Sequence, residues 1–213
     1  MTGGPLVVTA SPHLAPRDTT PRIMWHVVAS LVPVIGAAAW FFGASALLVI
    51  AAATIGAVAA EWRFGSGRTL GDGSAVITGL LLGLTLPAGI PLWMAALGGG
   101  FGIGFAKLVF GGLGFNVFNP ALVGRAFLQA AFPVAITTWP VPGTGFWNLR
   151  GDNFAWPGAR GAADAVTSAT PLGLLKFEGQ DTPLASLVLG TTGGSLGETA
   201  ALVILLGGAY LAW

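Results

Sequence analysis

The chain alternates between apolar runs and short polar breaks, and the length of each run decides what it can be. A spanning helix needs about 20 mostly apolar residues. Residues 23–42 meet that need, with His26 the most polar side chain near the start and Pro33 placed to kink the helix. The tight turn Gly43-Ala44-Ser45 leads to an alanine-rich run over 46–60, which Glu61-Trp62-Arg63 closes. A polar stretch over 65–73 follows, and Asp72 is predicted to cap a helix over 74–86 that Pro87 and Pro91 end. The next run, 92–110, carries glycine at 98, 99, 100, 102 and 104. Gly98 with Gly102, and Gly100 with Gly104, are small-xxx-small pairs that let membrane helices approach closely.

The pattern then changes. Residues 111–119 interrupt apolar sequence, and Asn119-Pro120 restarts a helix over 120–132 with Asn as N-cap and Pro at the first position. Arg125 lies inside that apolar register, and a charge at membrane depth faces a cavity or a partner. Irregular backbone at that depth is tolerated where it is buried in protein or lines a cavity. Asn116 to Arg125 is therefore one candidate site. Asn116 and Asn119 are three residues apart, so their amides point the same way if the segment is turn-like. The plainer reading is that Asn119 only caps its helix, while Arg125 snorkels to the interface or pairs with Glu198 or Asp72. A long polar interval runs from Trp139 to Thr182 with four of the eight acidic residues. An interval of that length inside a compact protein is a functional segment or a disordered one. Leu184 to Leu189 is too short to span, 191–195 breaks the chain, and 196–213 forms the last span.

These runs predict an all-α integral membrane protein with about six spans and broken or re-entrant helices. Its parts are an N-terminal arm (1–22), membrane spans with a break at 111–120 (23–138), an external loop (139–182), and a broken helix with the last span (183–213). Composition agrees: of 213 residues 54% are hydrophobic and 8% charged, against about 25% charged in soluble domains. The net charge of +1 gives no basis for a nucleic-acid partner. Without cysteine there are no disulfides and no thiolate ligands for an iron–sulfur cluster. His13 and His26 form no metal-ligand pattern, and the glycines at 98–104 have neither a Walker ending nor a G-x-G-x-x-G. Residues 1–21 lack the basic start and apolar run of a cleavable signal.

Arg17 and Arg22 precede the first span and Arg63 and Arg68 follow the second. The positive-inside rule then puts the N-terminus, the 61–73 loop and the 111–120 break in the cytoplasm, and the 139–182 interval outside. Arg150, Arg160 and Lys176 in that interval weigh against this, though charges count most in short loops near the spans.

Inside the long interval sits a hydroxyl-rich run, Asp164-Ala-Val-Thr-Ser-Ala-Thr-Pro-Leu172. Thr167, Ser168 and Thr170 lie just before Pro171, which disfavours helix at Thr170 and predicts an extended residue with an accessible hydroxyl. By composition this is a Ser/Thr-rich loop. Its residues also resemble the flavin-attachment motif of the D subunit of the Rnf electron-transport complex (RnfD) and of its relative NqrB. Ser11-Pro12-His13, Arg22-Ile23-Met24, Asn119-Pro-Ala-Leu-Val-Gly-Arg-Ala-Phe127 and Gly194-Ser-Leu-Gly-Glu-Thr199 resemble the same family in the same order. The commonest form of the motif has Gly where this chain has Ser168.

The resemblance implies FMN esterified through its phosphate to Thr170, with Asp164, Thr167 and Ser168 shaping the recognition site. It further implies a riboflavin held within the membrane, for which Asn116, Asn119 and Arg125 are the candidates, and a fold similar to that of urea channels. The function implied is electron transfer linked to movement of Na⁺ or H⁺ in a bacterial inner-membrane ferredoxin:NAD oxidoreductase complex. The other subunits of that complex would be the partners, and the chain would correspond to the N-terminal two thirds of such a subunit. Two other readings stay open: a channel or transporter for a small solute, since broken Gly/Pro-rich spans also build midplane solute sites, and a non-redox scaffold subunit. The 139–182 interval separates them, because a simple channel has no need of it.

Overall fold

The computed structural model describes residues 19–65, 70–143, 145–157, 167–198 and 201–213. Among these, every regular element is helical. Helix α1 (Thr20–Phe42) has Pro21 in its first turn, where a missing N–H costs nothing, and carries Pro33 inside it. It buries Ser30, Val34, Ala38 and Phe42, a single stripe at one-turn spacing. The turn into α2 (Ala44–Phe64) is shorter than expected, because Ala44 and Ser45 belong to the helix. Gly43 alone makes the reversal at φ 69°, and a Cβ there would press on the Phe146 carbonyl.

Helix α3 (Ser74–Thr85) and α4 (Leu92–Ile103) follow, and α4 runs on as a π-helical turn, Gly104–Leu108. Then come α5 (Pro120–Ala131), α6 (Pro133–Thr137), α7 (Pro171–Gly173) with its own π-turn Leu174–Glu178, α8 (Leu184–Leu189) and α9 (Ala201–Ala212). Among the described residues only α1 and α2 are long and apolar enough to cross a bilayer; α3, residues 92–108 and α9 are apolar but shorter. Helix α3, at 12 residues, rises only about 18 Å against a hydrocarbon core of roughly 30 Å. The described residues thus combine two long helices with several short ones.

Helix α2 packs between α3 and α4, α4 lies between α2 and α5, and α1 packs against α9. The closest approaches are made by glycines. A Cβ at Gly98 would collide with the Leu128 side chain, and one at Gly102 with the Pro120 carbonyl, both on α5. On another face of α4, Gly99 meets the Ala53 carbonyl of α2, and Gly56 of α2 meets the Ala96 carbonyl in return. Gly79 and Gly83 bring α3 against Thr54 and Ile50 of α2. The pair Gly98/Gly102 is therefore a packing pair. The pair Gly100/Gly104 is not: a Cβ at Gly100 has its nearest neighbour at 3.5 Å, and Gly104 faces open space. Helix α9 is held by the His26 Nδ1–Tyr210 hydroxyl contact at 2.6 Å and by Gly207 lying against the Ser30 carbonyl.

The bundle has two distinct ends. At one, residues 139–143 and 145–157 fold over the α1–α2 and α3–α4 corners: Ala44 N–H donates to the Phe146 carbonyl, Leu92 N–H to the Asn153 carbonyl, and Asp152 N–H to the Gly89 carbonyl. Asn153 Nδ2 donates to the carbonyls of Ala88 and Ile90 at 2.9 and 3.0 Å. At the other end lie the last turn of α2, the start of α3 and the π-turn of α4, joined through charged side chains.

The two kinds of α4 glycine respond differently to substitution. Gly99→Val forces backbone atoms of α2 away and should cost about 1–3 kcal/mol or more, as overpacking does. Gly104→Ala meets no atom and should be neutral to slightly stabilising, through the roughly 0.5–1 kcal/mol that Gly loses to Ala in a helix. Thermal unfolding of the purified protein in detergent measures both; equal midpoints for the two variants would contradict this packing.

Candidate functional site

The hydroxyl run and its surroundings come first. Thr170 has φ −71° and ψ 155°, the extended backbone expected before Pro171, and it is the N-cap of the helical run 171–178. Its Oγ1, half-buried, accepts from the Gly173 N–H at 3.2 Å and has its own proton free of any acceptor among the described residues. Two residues earlier the run is tied to Trp139. The Trp139 N–H donates to Thr167 Oγ1 at 3.2 Å, while the Trp139 carbonyl accepts from both the Ser168 N–H (2.8 Å) and Ser168 Oγ (3.1 Å). Ser168 Oγ also lies directly over Gly193, where a Cβ would have no room. The structure thus brings Thr167, Ser168 and Thr170 together on one extended stretch and docks it on both Trp139 and the 191–195 break. Asp164 lies outside the described residues, as do Ser11 to His13, Arg17, Arg68, Arg160 and Thr199.

The second candidate stretch divides. Asn116 makes a local turn: its Oδ1 accepts from the Gly114 N–H at 3.2 Å and its Nδ2 donates to the Phe118 carbonyl at 3.4 Å. Asn119 caps α5, its Oδ1 accepting from the Ala121 N–H at 2.9 Å. Arg125 joins neither amide. It is half-buried and donates through Nη1 to the Thr85 carbonyl at the end of α3. Pairing of Arg125 with Glu198 or Asp72 is also not what forms: Glu198 Oε1 accepts from the Ser195 N–H at 2.8 Å, and Asp72 Oδ1 accepts from the N–H and hydroxyl of Ser74. Asp72 therefore does serve the start of α3, although Gly73, in the left-handed region at φ 79°, is the N-cap residue.

The reason for the Arg125 placement is the end of α3. A helix leaves its last four carbonyls without intrahelical partners, and water is scarce at membrane depth. Here each of the four is met. Thr85 Oγ1 donates to Leu82, the Leu86 N–H to Gly83, the Gly197 N–H to Leu84, and Arg125 to Thr85. The Leu196 N–H then continues to the Leu86 carbonyl. A positive group is also favoured at this negative end of the helix dipole. Beside it opens a cavity of about 650 Å³ between α1, α3, α5, α9 and the 195–198 turn. Its walls are largely apolar, with Arg125, Thr85, Ser30, Ser195 and Glu198 as polar points, and its size is that of ligand pockets, about 300–1,000 Å³.

One cluster escapes sequence reasoning. Lys107 and Glu61 are 2% and 0% exposed and form an ion pair of 2.6 Å. Lys107 Nζ also donates to Ser74 Oγ at 2.5 Å, and Ser74 Oγ in turn to Asp72. Glu61 Oε2 is buried with no partner among the described residues. The π-turn of α4 contains Lys107 and turns it toward α2 and α3. In sequence both charges look like interfacial flanks of apolar runs; the only signal was that opposite charges end two runs on the same predicted side.

A family model described as NQR2, RnfD, RnfE matches residues 7–213. The chain is 39% identical over 218 residues to the D subunit of the proton-translocating ferredoxin:NAD(+) oxidoreductase complex of Clostridium ljungdahlii, covering 96% of this chain and 61% of that protein. It is 38% identical over 214 residues to the D subunit of the Na(+)-translocating ferredoxin:NAD(+) oxidoreductase complex of Acetobacterium woodii, covering 97% and 62%. With the D subunit of the ion-translocating oxidoreductase complex of Stutzerimonas stutzeri the identity is 40% over 217 residues, covering 92% and 61%. The chain thus spans about 61% of the length of these relatives.

The Arg125 bond yields a direct test. Arg125→Met leaves the Thr85 carbonyl unpaired and should cost about 1–3 kcal/mol of stability, whereas Arg125→Lys keeps a donor and should retain most of it. Thermal unfolding of both variants decides, and a Met variant as stable as the parent would show that the α3 end needs no side-chain donor.

Proposed function

The chain belongs to the NQR2, RnfD, RnfE family, and on that premise we propose that it is the flavin-carrying membrane subunit of an ion-translocating oxidoreductase complex. Its partners in this reading are the lipid bilayer and the other subunits of a Rnf-type complex, since the relatives are named as D subunits of such complexes. The chain is not catalytic alone; it passes electrons within a complex that transfers them between ferredoxin and NAD. The broken helices α3 and α5 suit the urea-channel-like fold and the roughly six spans proposed with this family.

The observation that carries the proposal is the setting of Thr170. Its hydroxyl is half-buried on extended backbone, bonded by the Gly173 N–H, and free of a competing acceptor among the described residues. A phosphoester on that oxygen would stand at the positive end of the 171–178 helical run, where phosphate is favoured. The residues present therefore fit an FMN joined through its phosphate. The flavin would supply the capacity to take up and release electrons, and the protein would supply placement and local charge. Thr167 and Ser168 fix the run against Trp139; Asp164 completes the proposed recognition site.

A second, non-covalent riboflavin forms part of the same proposal. Asn116 and Asn119 keep its candidate seat, since amides offer both donor and acceptor to a pyrimidine edge and Asn119 Nδ2 has no partner among the described residues. Arg125 gives Nη1 to the Thr85 carbonyl and keeps its other donors, so it stays a candidate for that seat. A channel for a small solute is the alternative reading, favoured by the cavity beside Arg125, but it leaves the hydroxyl run without a role.

One preparation tests both flavins. Thr170→Val should abolish in-gel flavin fluorescence of the denatured band while the protein stays in the membrane; persisting fluorescence would move the attachment point, with Thr167 and Ser168 next in line. Asn116→Leu combined with Asn119→Ser, which keeps a capping hydroxyl, should lose acid-extractable riboflavin and keep the covalent signal. Unchanged riboflavin would refute the amide site.

Orientation is the last element proposed: a bacterial inner membrane, a cytoplasmic N-terminus, and the Thr170 run on the periplasmic side. Gln180 is exposed on the loop beyond the run. A single Cys there should react with an impermeant thiol reagent in intact spheroplasts, and labelling only after lysis would invert the topology.

A further inference from the structure

We propose that Arg150 is a positioning residue for the flavin-bearing run, acting through the Trp139–Val141 stretch; this rests on the reading of Thr170 as the attachment point. Arg150 is 6% exposed and has no carboxylate against it among the described residues. Burial pushes its guanidinium pKa below the usual value, yet an arginine stays charged in proteins. A buried charge without a counter-ion is costly unless hydrogen bonds replace its water.

The replacements are backbone carbonyls. Arg150 Nη1 donates to Val141, and Nη2 reaches the Phe41 carbonyl at the end of α1 at 3.4 Å. The residue's own N–H donates to Ser45 Oγ at 2.8 Å, so its backbone is fixed to the first turn of α2. The Phe41 carbonyl also accepts from the Gly143 N–H at 2.9 Å. The guanidinium therefore clamps the stretch after α6 onto the corner between α1 and α2.

That stretch is the platform for the hydroxyl run. Trp139 stands two residues before Val141 and makes three bonds to Thr167 and Ser168, and Thr170 follows two residues later. The contacts thus pass in sequence from the α1–α2 corner through Arg150 and Val141 to Trp139, Thr167–Ser168 and Thr170. The arginine fork presents its donors in a fixed plane toward two carbonyls, whereas the lysine ammonium is a compact charge on a flexible stem and the Gln amide is shorter and neutral. Ser45 anchors the Arg150 backbone but makes no hydrogen bond to Val141 or Trp139 among the described residues, which separates general loop docking from the clamp itself.

The test uses the complete complex purified with the chain as parent, Arg150→Gln, Arg150→Lys or Ser45→Ala. Three readouts apply: chain recovered in the membrane, covalent flavin per chain from in-gel fluorescence, and amide hydrogen exchange of peptides covering 139–143 and 167–173. Arg150→Gln should lose covalent flavin several-fold and exchange faster in both peptides, Arg150→Lys should recover part of each, and Ser45→Ala should stay near the parent. Parent-level flavin in Arg150→Gln overturns the proposal, as does a flavin loss in Ser45→Ala equal to that in Arg150→Gln. If Arg150→Gln fails to accumulate, Arg150→Lys decides: flavin below the parent supports the clamp, and parent-level flavin overturns it. A parent chain without covalent flavin would instead sink the reading of Thr170, a different result from normal parental flavin that is indifferent to Arg150.

Discussion

Short helices that end in the buried interior must find donors for their last carbonyls inside the protein, and that requirement organises this chain. Helix α3 stops at Thr85, well short of a full span. Its end is completed by its own Thr85 and Leu86, by Arg125 from α5, and by Gly197 from the turn before α9. Each unmet carbonyl in such a place is worth a few kcal/mol, comparable with a large part of the net stability of a domain. The placement of α5 and of the 195–198 turn follows from that need, and the cavity beside Arg125 is the space left where those elements converge.

The glycine faces of α4 make this convergence possible. With no Cβ at Gly98, Gly99 or Gly102, α4 sits against α2 on one side and α5 on the other at backbone distance. That closeness carries Arg125 within reach of Thr85. It also carries Lys107 to Glu61 at the opposite end, where a pair almost wholly removed from solvent depends on Ser74 and Asp72 for its remaining bonds. Removing one partner of such a pair costs more than the pair itself contributes, since it strands the other charge.

Much of this was legible in the sequence, and the parts that were not have physical reasons. The long helices, the proline at the start of α5 and its Asn119 cap, and the extended Thr170 all follow from local rules acting over a few residues, and the structure has them. Arg125 was recognised as a charge that needs an answer, but its partner is a backbone carbonyl, which carries no mark in a sequence. The Gly100/Gly104 pair failed because spacing marks a face without saying whether anything packs there. The Lys107–Glu61 pair was not legible because the π-turn that buries Lys107 has no sequence signature of its own. Arg150 was counted only as a loop charge bearing on topology, when its surroundings are those of a core residue.

The bonds at the end of α3 also bear on how the protein is made. The chain emerges in order, and α3 is produced before either of the donors that complete it. Arg125 arrives forty residues after Thr85, and Gly197 only with the last described segments. Until then, Leu84 and Thr85 expose carbonyls that apolar surroundings cannot satisfy, so α3 has no stable resting place away from water. It must wait near the water boundary, or inside whatever shelters the nascent chain, and settle only when α5 and the turn before α9 arrive. Helix α3 therefore cannot be inserted as an independent unit; stretches synthesised well after it fix its position.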